Sequence, residues 1–248
     1  MRTITCVSFL TLVFFFGCTK YDKPGHMPRP GVALTFDDCY IDEWYDFLPV
    51  FDSFHVKATF YISNYQNLTQ DQKSKLKILK NHGHEIAYHT LTHPDMVKFL
   101  RKNSMERLEG EEILKGLVLM NADGFYPKNF AYPYGSHTEV LDNCLLRRFR
   151  SIRCLNGSSD YAKSFTSNED NSKLFAIGMD RSSGKTINEL LNLVNIAQKN
   201  NNCLVLVGHH INRAEKNMYV SPERLRKIIQ AVIDNNMKFY TVCDIMRQ

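Results

Sequence analysis

Two aspartates and two histidines stand at positions where they could hold and use one metal ion. Asp37 and Asp38 are adjacent in GVALTFDD, and His89 and His93 are four residues apart in HEIAYHTLTHPD. Two neutral imidazoles and one carboxylate make a three-ligand site with a position left for water, which is the common arrangement of catalytic zinc. A second carboxylate nearby could take a proton from that water. The residue types therefore indicate metal-assisted hydrolysis.

The spacing of His89 and His93 is also typical of one face of a helix. Here the preceding residues alternate as in a strand, and Pro94 prevents a helix from continuing. The aspartates raise a similar question, because adjacent residues on a regular strand point to opposite faces. Asp37 and Asp38 can both reach one ion only if the strand ends between them, so that one is a ligand and the other is a base.

Two further segments place polar groups at predicted strand ends. The turn in FAYPYG offers backbone N–H groups that could face a developing oxyanion, and LVLVGHHI offers a histidine that could protonate a leaving group. Taken singly, each motif is common in structural roles such as helix caps, turns and solvated histidines. Four such segments at strand ends converge if the strands share one sheet, and that conjunction carries the prediction of acyl-bond hydrolysis.

The elements that would position these groups alternate between strands and helices. Strands buried on both faces and separated by helices indicate a parallel sheet, and seven or eight such units favour a (β/α) barrel over an open doubly wound sheet, which is the alternative. In both architectures functional groups gather at the strand ends. We predict strands over 31–38, 57–63, 84–90, 128–135, 151–157, 173–180, 203–211 and 238–242. We predict helices over 41–54, interrupted by Pro49, over 103–120, weakened by Gly110 and Gly116, and over 69–83, 138–148, 186–200 and 221–236.

The N-terminus has the pattern of an export signal. Arg2 precedes an apolar run that is short for a membrane span, and a small residue stands directly before Cys18. We predict a signal peptide over 1–17, an acylated Cys18 that anchors a lipoprotein in the bacterial cell envelope, a polar tether over 18–30 and one catalytic domain over 31–248. Plain secretion and an uncleaved hydrophobic start are the alternatives.

Charge and cysteine content argue against a nucleic-acid-binding protein and against a thiolate zinc site. Loss of residues 1–17 removes one charge, Arg2, so the formal net charge falls from +5 to +4, which is too mild and scattered to indicate nucleic-acid binding. No C-x-x-C occurs, so a thiolate zinc site is not expected. Five cysteines follow the tether, and we expect most to be buried thiols: Cys39, Cys144, Cys154, Cys203 and Cys243.

The motifs LTFDD, HTLTH, FAYPYG and LVLVGHHI, in this order, resemble those of the polysaccharide deacetylase family, carbohydrate esterase family 4. The similarity covers nearly the whole chain after the tether. It implies a distorted (β/α) barrel with about seven parallel strands and removal of acetyl groups from an N-acetylated, or O-acetylated, glycan. It also implies a divalent metal, with Zn²⁺ first and Co²⁺ or Ni²⁺ as alternatives.

The resemblance also implies a role for each matched residue. Thr90 would brace the histidine loop by hydrogen bonding. By position, the resemblance puts the general base at Asp37 and the metal ligands at Asp38, His89 and His93. It puts an oxyanion donor at the backbone N–H of Tyr134 and the general acid at His209.

Three positions depart from the family pattern. Cys39 replaces a frequent glycine after the aspartates, and Ala131 replaces the arginine that often orients the base. Arg181 in GMDRSS is our candidate for the missing arginine, predicted to pair with Asp37, although it could equally cap a strand end. His210 lies beside His209 and is the alternative acid or a sugar contact.

Weaker predictions concern residues around the motifs. Tyr40 and Trp44 could stack on a sugar ring or pack in the core, and Glu85 could be the partner of a metal-bound imidazole. The competing functions are a glycan-binding lipoprotein with a decayed site, favoured only by Ala131, and a metal-dependent esterase or amidase for another acyl substrate. We expect the chain to act as a monomer on an acetylated glycan.

Overall fold

A closed ring of parallel strands forms the centre of the computed structural model, which describes residues 30–157, 160–166, 172–214 and 216–246. Each ring strand pairs in parallel with its neighbours, and the last pairs back with the first. The described strands are β1 (Gly31–Asp38), β2 (Ala58–Ile62), β3 (Glu85–Tyr88), β4 (Asn129–Ala131), β5 (Ser151–Leu155), β6 (Phe165–Thr166), β7 (Lys173–Gly178), β8 (Cys203–Gly208), β9 (His210–Ile211), β10 (Tyr219–Val220) and β11 (Lys238–Phe239).

The ring has seven strands in the order β1–β2–β3–β4–β5–β7–β8, and a long β1–β8 ladder closes it. The predicted barrel is therefore confirmed, and the open sheet is excluded. Two short strands distort the barrel. β6 runs antiparallel to the first half of β8, and β11 pairs with β1 below the point where β2 begins. The carboxyl ends of the parallel strands all meet at one rim.

The helices lie on the outside of the ring and are capped by local side chains. Thr69 and Thr186 each form a reciprocal capping box with the residue three positions later, which fixes where two long helices begin. The described helices are α1 (Ile41–Asp46), α2 (Leu48–Ser53), α3 (Gln70–Asn81), α4 (Met96–Leu100), α5 (Met105–Leu108), α6 (Lys115–Ala122), α7 (Glu139–Leu145), α8 (Ile187–Lys199), α9 (Pro222–Asp234) and α10 (Val242–Ile245).

The two faces of the strands have different side chains because the barrel is narrow. Outward residues such as Phe36 are large and belong to the main core shared with the helices. Inward residues form separate small clusters, in which alanine recurs on four strands at Ala33, Ala87, Ala131 and Ala176. A barrel of seven strands leaves little room for inward side chains. The few polar side chains that do point inward are therefore conspicuous.

Several predicted boundaries differ from the structure. The helix predicted over 41–54 is interrupted near Pro49 as expected, and the structure has two helices that meet at Phe47, with Pro49 in the first turn of α2, where proline is tolerated. The helix predicted over 103–120 is not broken by its glycines, and a π-helical turn (Glu109–Leu114) joins α5 to α6. A Cβ at Gly116 would lie 1.8 Å from the Tyr88 hydroxyl oxygen, so this glycine permits close packing on β3.

At the C-terminus, the strand predicted over 238–242 consists only of β11. Thr241 caps α10 instead and makes a capping box with Asp244, which ends the extended chain. The helix α4 was not predicted. It begins at Met96, immediately after the histidine loop, and is capped by Asp95, whose side chain accepts a hydrogen bond from the Lys98 amide.

The predicted N-terminal segments lie outside the described residues, apart from the last residue of the tether, Pro30. Among the residues that are described, no helix combines the length and the apolar character needed to cross a bilayer. The five cysteines after the tether are free thiols, and Cys154 and Cys203 are buried.

Candidate metal centre and active site

The predicted metal ligands meet at the barrel rim. The Nε2 atom of His93 lies 3.2 Å from Oδ1 of Asp38, and Nε2 of His89 lies 3.8 Å from the same oxygen. β1 ends at Asp38, which has φ +83°, so Asp37 continues the inward face of the strand while Asp38 turns toward the histidines. This break in the strand explains how two adjacent aspartates can face the same site.

The loop between the two histidines is wound in an unusual way. Thr90 and His93 both have positive φ, +66° and +61°, in a region that residues with a Cβ rarely adopt. The backbone N–H of His93 donates to the hydroxyl of Thr90 at 3.0 Å, which confirms the predicted bracing hydrogen bond. A single loop can thus bring both imidazoles to one point, but its backbone strain requires support from elsewhere.

Glu112 supplies this support. Its carboxylate accepts hydrogen bonds from the backbone N–H of Thr92 at 2.9 Å and from the Thr92 hydroxyl at 2.6 Å. Its carbonyl accepts from the backbone N–H of Leu91 at 3.1 Å and from the Tyr88 hydroxyl at 2.6 Å. Glu112 is buried and lies in the π-helical turn. Such turns occur frequently at functional sites. No local pattern in the sequence indicated this contact.

His89 is fixed in the tautomer that a metal ligand needs. Its Nδ1–H donates to the carbonyl oxygen of Ala131 at 2.8 Å, so Nε2 carries the lone pair that faces Asp38 and His93. Burial lowers the pKa of His89 to about 4, although the Asp37 charge opposes the shift. The imidazole is therefore neutral at neutral pH and available as a ligand.

A divalent cation fits this group of residues. One ligand atom from each of Asp38, His89 and His93 lies within 4.8 Å of the others. Beside them, Oδ1 of Asp37 is buried and has no hydrogen-bond partner among the described residues. Two imidazole nitrogens with one carboxylate oxygen suit Zn²⁺ and related first-row ions. Asp38, His89 and His93 are thus the residues that would hold the ion.

Asp37 forms a buried ion pair with Arg153, not with the predicted Arg181. An Nη2–H of Arg153 donates to Oδ2 of Asp37, and the two side chains are 0% and 5% exposed. Burial would raise the pKa of Asp37, but the charges of Arg153, His89 and His209 outweigh it and lower this pKa. The Arg181 prediction was wrong, because Arg181 lies in an exposed turn after β7 and makes no hydrogen bond to Asp37.

Arg153 replaces the arginine that is missing at Ala131. The two residues are direct partners in the β4–β5 ladder, so the guanidinium that reaches Asp37 comes from the adjacent strand. Its guanidinium also lies over the Tyr61 ring, 5.2 Å from the centroid. A signal was present in the sequence. Arg153 is a lone charge in the middle of an apolar strand and has the parity of inward residues.

His209 faces the same space from β8 and is oriented by Asp180. Its Nδ1 lies 2.7 Å from Oδ2 of Asp180, which is buried at the end of β7. Burial opposes protonation of His209, but the hydrogen bond to Asp180 and the charges of Asp37 and Asp38 outweigh it and raise its pKa. Asp180 was not predicted, although it stands at a strand end directly before Arg181.

His210 points away from the centre and holds the β8 end in place. Its Nδ1 lies 3.0 Å from both carboxylate oxygens of Glu43, and its ring is stacked on Tyr219 at 4.0 Å. Tyr40 packs on the other side, with ring centroids 3.3 Å apart. Trp44 is fully buried and donates from Nε1 to the carbonyl of His209. His209, rather than His210, therefore faces the metal centre.

Glu85 was wrongly predicted as a partner of an imidazole. It lies at the start of β3, at the barrel end away from the candidate ligands. Its carboxylate accepts hydrogen bonds from Thr59, Asn129 and the backbone N–H of Cys243, so it ties α10 to the closed end of the barrel.

Tyr134 forms part of the rim. It is 65% exposed, has φ +60°, and its ring lies 4.8 Å from the ring of His93. The following Gly135 packs against Leu155, which leaves no room for a Cβ. Leu155 also lines a cavity of about 280 Å³ together with Asp180 and His209. The role predicted for the Tyr134 backbone N–H, donation to an oxyanion, stays a prediction.

Comparisons with known proteins agree with this geometry. A family model described as polysaccharide deacetylase matches residues 25–147. The chain is 33% identical over 127 residues to a peptidoglycan-N-acetylglucosamine deacetylase of Bacillus cereus, covering 50% of this chain and 42% of that protein. It is 30% identical over 145 residues to a poly-beta-1,6-N-acetyl-D-glucosamine N-deacetylase of Staphylococcus epidermidis, covering 51% and 47%. The matches thus span less than half the length of these relatives.

Solved structures share the fold at low identity. A family 4 carbohydrate esterase from Streptomyces lividans superposes with a TM-score of 0.60 at 17% identity, covering 85% of this chain and 91% of that one. A CE4 family pseudoenzyme from Bacillus anthracis superposes equally well, with a TM-score of 0.60 at 16% identity and coverages of 89% and 66%. The fold alone therefore does not decide whether the site is active.

We predict that Arg153→Ala destabilises the protein by about 3–5 kcal/mol, because it leaves the Asp37 carboxylate buried without its counter-charge. Arg181→Ala, which removes an exposed arginine, should change the free energy of unfolding by less than about 1 kcal/mol. Urea unfolding measures both values. The double variant Asp37→Asn/Arg153→Met should recover part of the loss, and no recovery would contradict the ion-pair explanation.

We also predict that Glu112→Ala weakens zinc binding about 10- to 100-fold, as is usual when a group that orients metal ligands is removed. Calorimetric titration of the metal-free protein with Zn²⁺ measures the dissociation constant. Glu111→Ala is the matched control, because the Glu111 carboxylate pairs with Arg107 on the surface. Equal affinities for the two variants would show that Glu112 does not position the histidine loop.

Proposed function

Because the chain belongs to the polysaccharide deacetylase family, we propose that it hydrolyses acetyl groups from an N-acetylated glycan with the aid of a divalent metal, Zn²⁺ in the first instance. One observation carries the proposal. The unpartnered Oδ1 of Asp37 stands beside three candidate ligand atoms, and His209 faces it from the other side with its own carboxylate partner. A base, a cation site and an acid around one point are what amide hydrolysis requires.

A divalent cation held by Asp38, His89 and His93 would supply Lewis-acid chemistry, polarising the acetyl carbonyl and making a water molecule more acidic. In the proposed reaction, Oδ1 of Asp37 takes the proton of the attacking water while Arg153 holds Oδ2 and keeps the carboxylate ionised. The water oxygen then bonds to the carbonyl carbon of the acetyl group.

The second half of the reaction breaks the bond between the acetyl carbon and the sugar nitrogen. His209 donates its Nε2 proton to the departing nitrogen, and the Asp180 carboxylate stabilises the protonated imidazole until then. The backbone N–H of Tyr134 would stabilise the negative charge that develops on the acetyl oxygen. The products are acetate and an amino sugar, and proton return from Asp37 to His209 would restore the starting state.

The location of the protein is part of the proposal. We propose that Cys18 is acylated after removal of residues 1–17 and anchors the domain as a lipoprotein of the bacterial cell envelope, through a tether over 18–30. The apolar run followed by Gly17 and Cys18 supports this proposal. A membrane-anchored monomer would act on glycan outside the cytoplasm.

The test of this function is acetate release from N-acetylglucosamine oligomers, with acetylated xylan and a simple N-acetyl amide as the esterase and amidase alternatives. Asp37→Asn should lower turnover at least about 100-fold, since it removes the general base. It should retain bound metal, which mass spectrometry can count. Unchanged turnover in this variant would exclude the base role, and release only from xylan would favour the esterase.

The pH dependence gives a separate prediction for His209. Asp180→Asn removes the charge that raises the pKa of His209, so this pKa should fall. A general acid must be protonated, and the alkaline limb of the kcat/KM profile should therefore move to lower pH. Asp234→Asn, on the surface of α9, is the control and should leave the profile unchanged. If the alkaline limb did not move, His209 would be excluded as the group whose pKa sets that limb.

A further inference from the structure

Two cavities near the barrel rim have more cations than carboxylates among their lining residues. The first, of about 300 Å³, lies between β10, α9 and the turn after β7, and its charged lining residues are Arg181, Arg213, Arg224, Lys227 and Glu223. We call it the arginine pocket. The second, of about 470 Å³, follows the histidine loop, and its charged lining residues are Lys98, Arg101, Lys102 and Asp95. We call it the lysine pocket.

This composition differs from that of the chain as a whole. The protein has 31 basic and 26 acidic residues, so a surface chosen without bias would be nearly balanced. The described charged residues of the two pockets are instead four cations to one carboxylate and three to one. An excess of one sign in concave surfaces concentrates ligands of the opposite charge.

The arginine pocket is built on a fixed framework. Arg224 donates from Nε to the carbonyl of Met179 at 2.7 Å and from Nη2 to the carbonyl of Lys185 at 2.5 Å. Burial lowers the pKa of Arg224, the charges of Asp180 and Glu189 oppose this shift, and the Arg181 charge adds to it. Like charges held in proximity are stabilised by an anion placed between them.

Direct contacts connect the arginine pocket to the active site. Tyr219 lines the pocket, and its ring is stacked on His210, the residue that follows the general acid. Arg181 directly follows Asp180, the partner of His209. The pocket is thus connected through Tyr219 and Arg181 to residues that neighbour His209 and Asp180 in the chain.

The lysine pocket adjoins the site at another part of the rim. Pro94 lines it and directly follows the ligand His93. In the closed ring, β3 leads into this pocket and β8 leads toward the arginine pocket, and β2 and β1 stand between them. A chain that crosses the rim through the metal centre would thus pass one basic pocket on each side.

We propose that the substrate is an anionic glycan, whose carboxylate or phosphate groups bind in the arginine and lysine pockets on either side of the acetylated sugar. This inference rests on the proposed function, because it assigns a substrate class to the same site. It also gives a role to Arg181. Because Asp37 pairs with Arg153, Arg181 has no part in the proposed catalysis.

The experiment compares three acetylated oligosaccharides of equal length. Hyaluronan oligosaccharides alternate N-acetylglucosamine with glucuronate, 6-phosphorylated N-acetylglucosamine oligomers carry phosphate, and chitin oligosaccharides are neutral. We expect kcat/KM for at least one anionic series to exceed that for chitin by about tenfold at low salt, and the ratio to fall as salt screens the charges. The preferred series identifies the anionic group.

The variant Arg213→Ala/Lys227→Ala should reduce the ratio of anionic to neutral kcat/KM severalfold. The control Lys199→Ala/Lys238→Ala removes the same number of charges at the opposite end of the barrel and should leave the ratio unchanged. A wild-type ratio near one, or equal ratios in both variants, would overturn the proposal while deacetylation of chitin still stood.

Binding measurements separate this inference from the proposed function. Dissociation constants of the same three oligosaccharides are measured with the Asp37→Asn protein, which does not depend on turnover. If no oligosaccharide releases acetate from the wild type, the deacetylase proposal fails. Tighter binding of an anionic series, lost in Arg213→Ala/Lys227→Ala, would still support the anion sites, and equal binding of all three series would exclude them.

Discussion

The ion pair between Asp37 and Arg153 is the interaction on which the rest of the site depends. An ionised carboxylate inside a narrow barrel lined by alanines is costly unless a counter-charge accompanies it. Arg153 meets this need from the inner face of β5 and contacts one oxygen only, so the other oxygen of Asp37 is left for chemistry. Ala131, the direct ladder partner of Arg153, is one of the small inward residues of the barrel.

A second constraint is the end of β1, where one carboxylate faces inward and the next turns to the histidines. The left-handed conformation of Asp38 separates two adjacent side chains that a regular strand would send to opposite faces. Left-handed residues also shape the histidine loop, where they bring two imidazoles together. Such backbones persist only when their surroundings hold them, and Glu112 binds that loop through both its carboxylate and its carbonyl.

The sequence predicted what local pattern encodes. Apolar runs and helical periodicity indicated the barrel, and the order of the strand-end motifs led to Asp38, His89, His93 and Asp37. It did not indicate Glu112, whose contact with the loop depends on the path of a distant helix. It led to Arg181 instead of Arg153, because the prediction relied on proximity in a motif. The contact is decided by the register of two neighbouring strands, in which Arg153 lies opposite Ala131.

That register also bears on whether the site is active. Ala131 was the one feature that favoured a decayed glycan-binding protein, since a base without its arginine would be buried and unpaired. In space the arginine is present, one strand away and directly opposite, so the position of the charge is kept although its place in the sequence has moved. Each charge of the pair needs the other, because an unpaired guanidinium or an unpaired carboxylate would destabilise the barrel interior. The pair keeps Asp37 ionised, which the proposed role of Asp37 as general base requires.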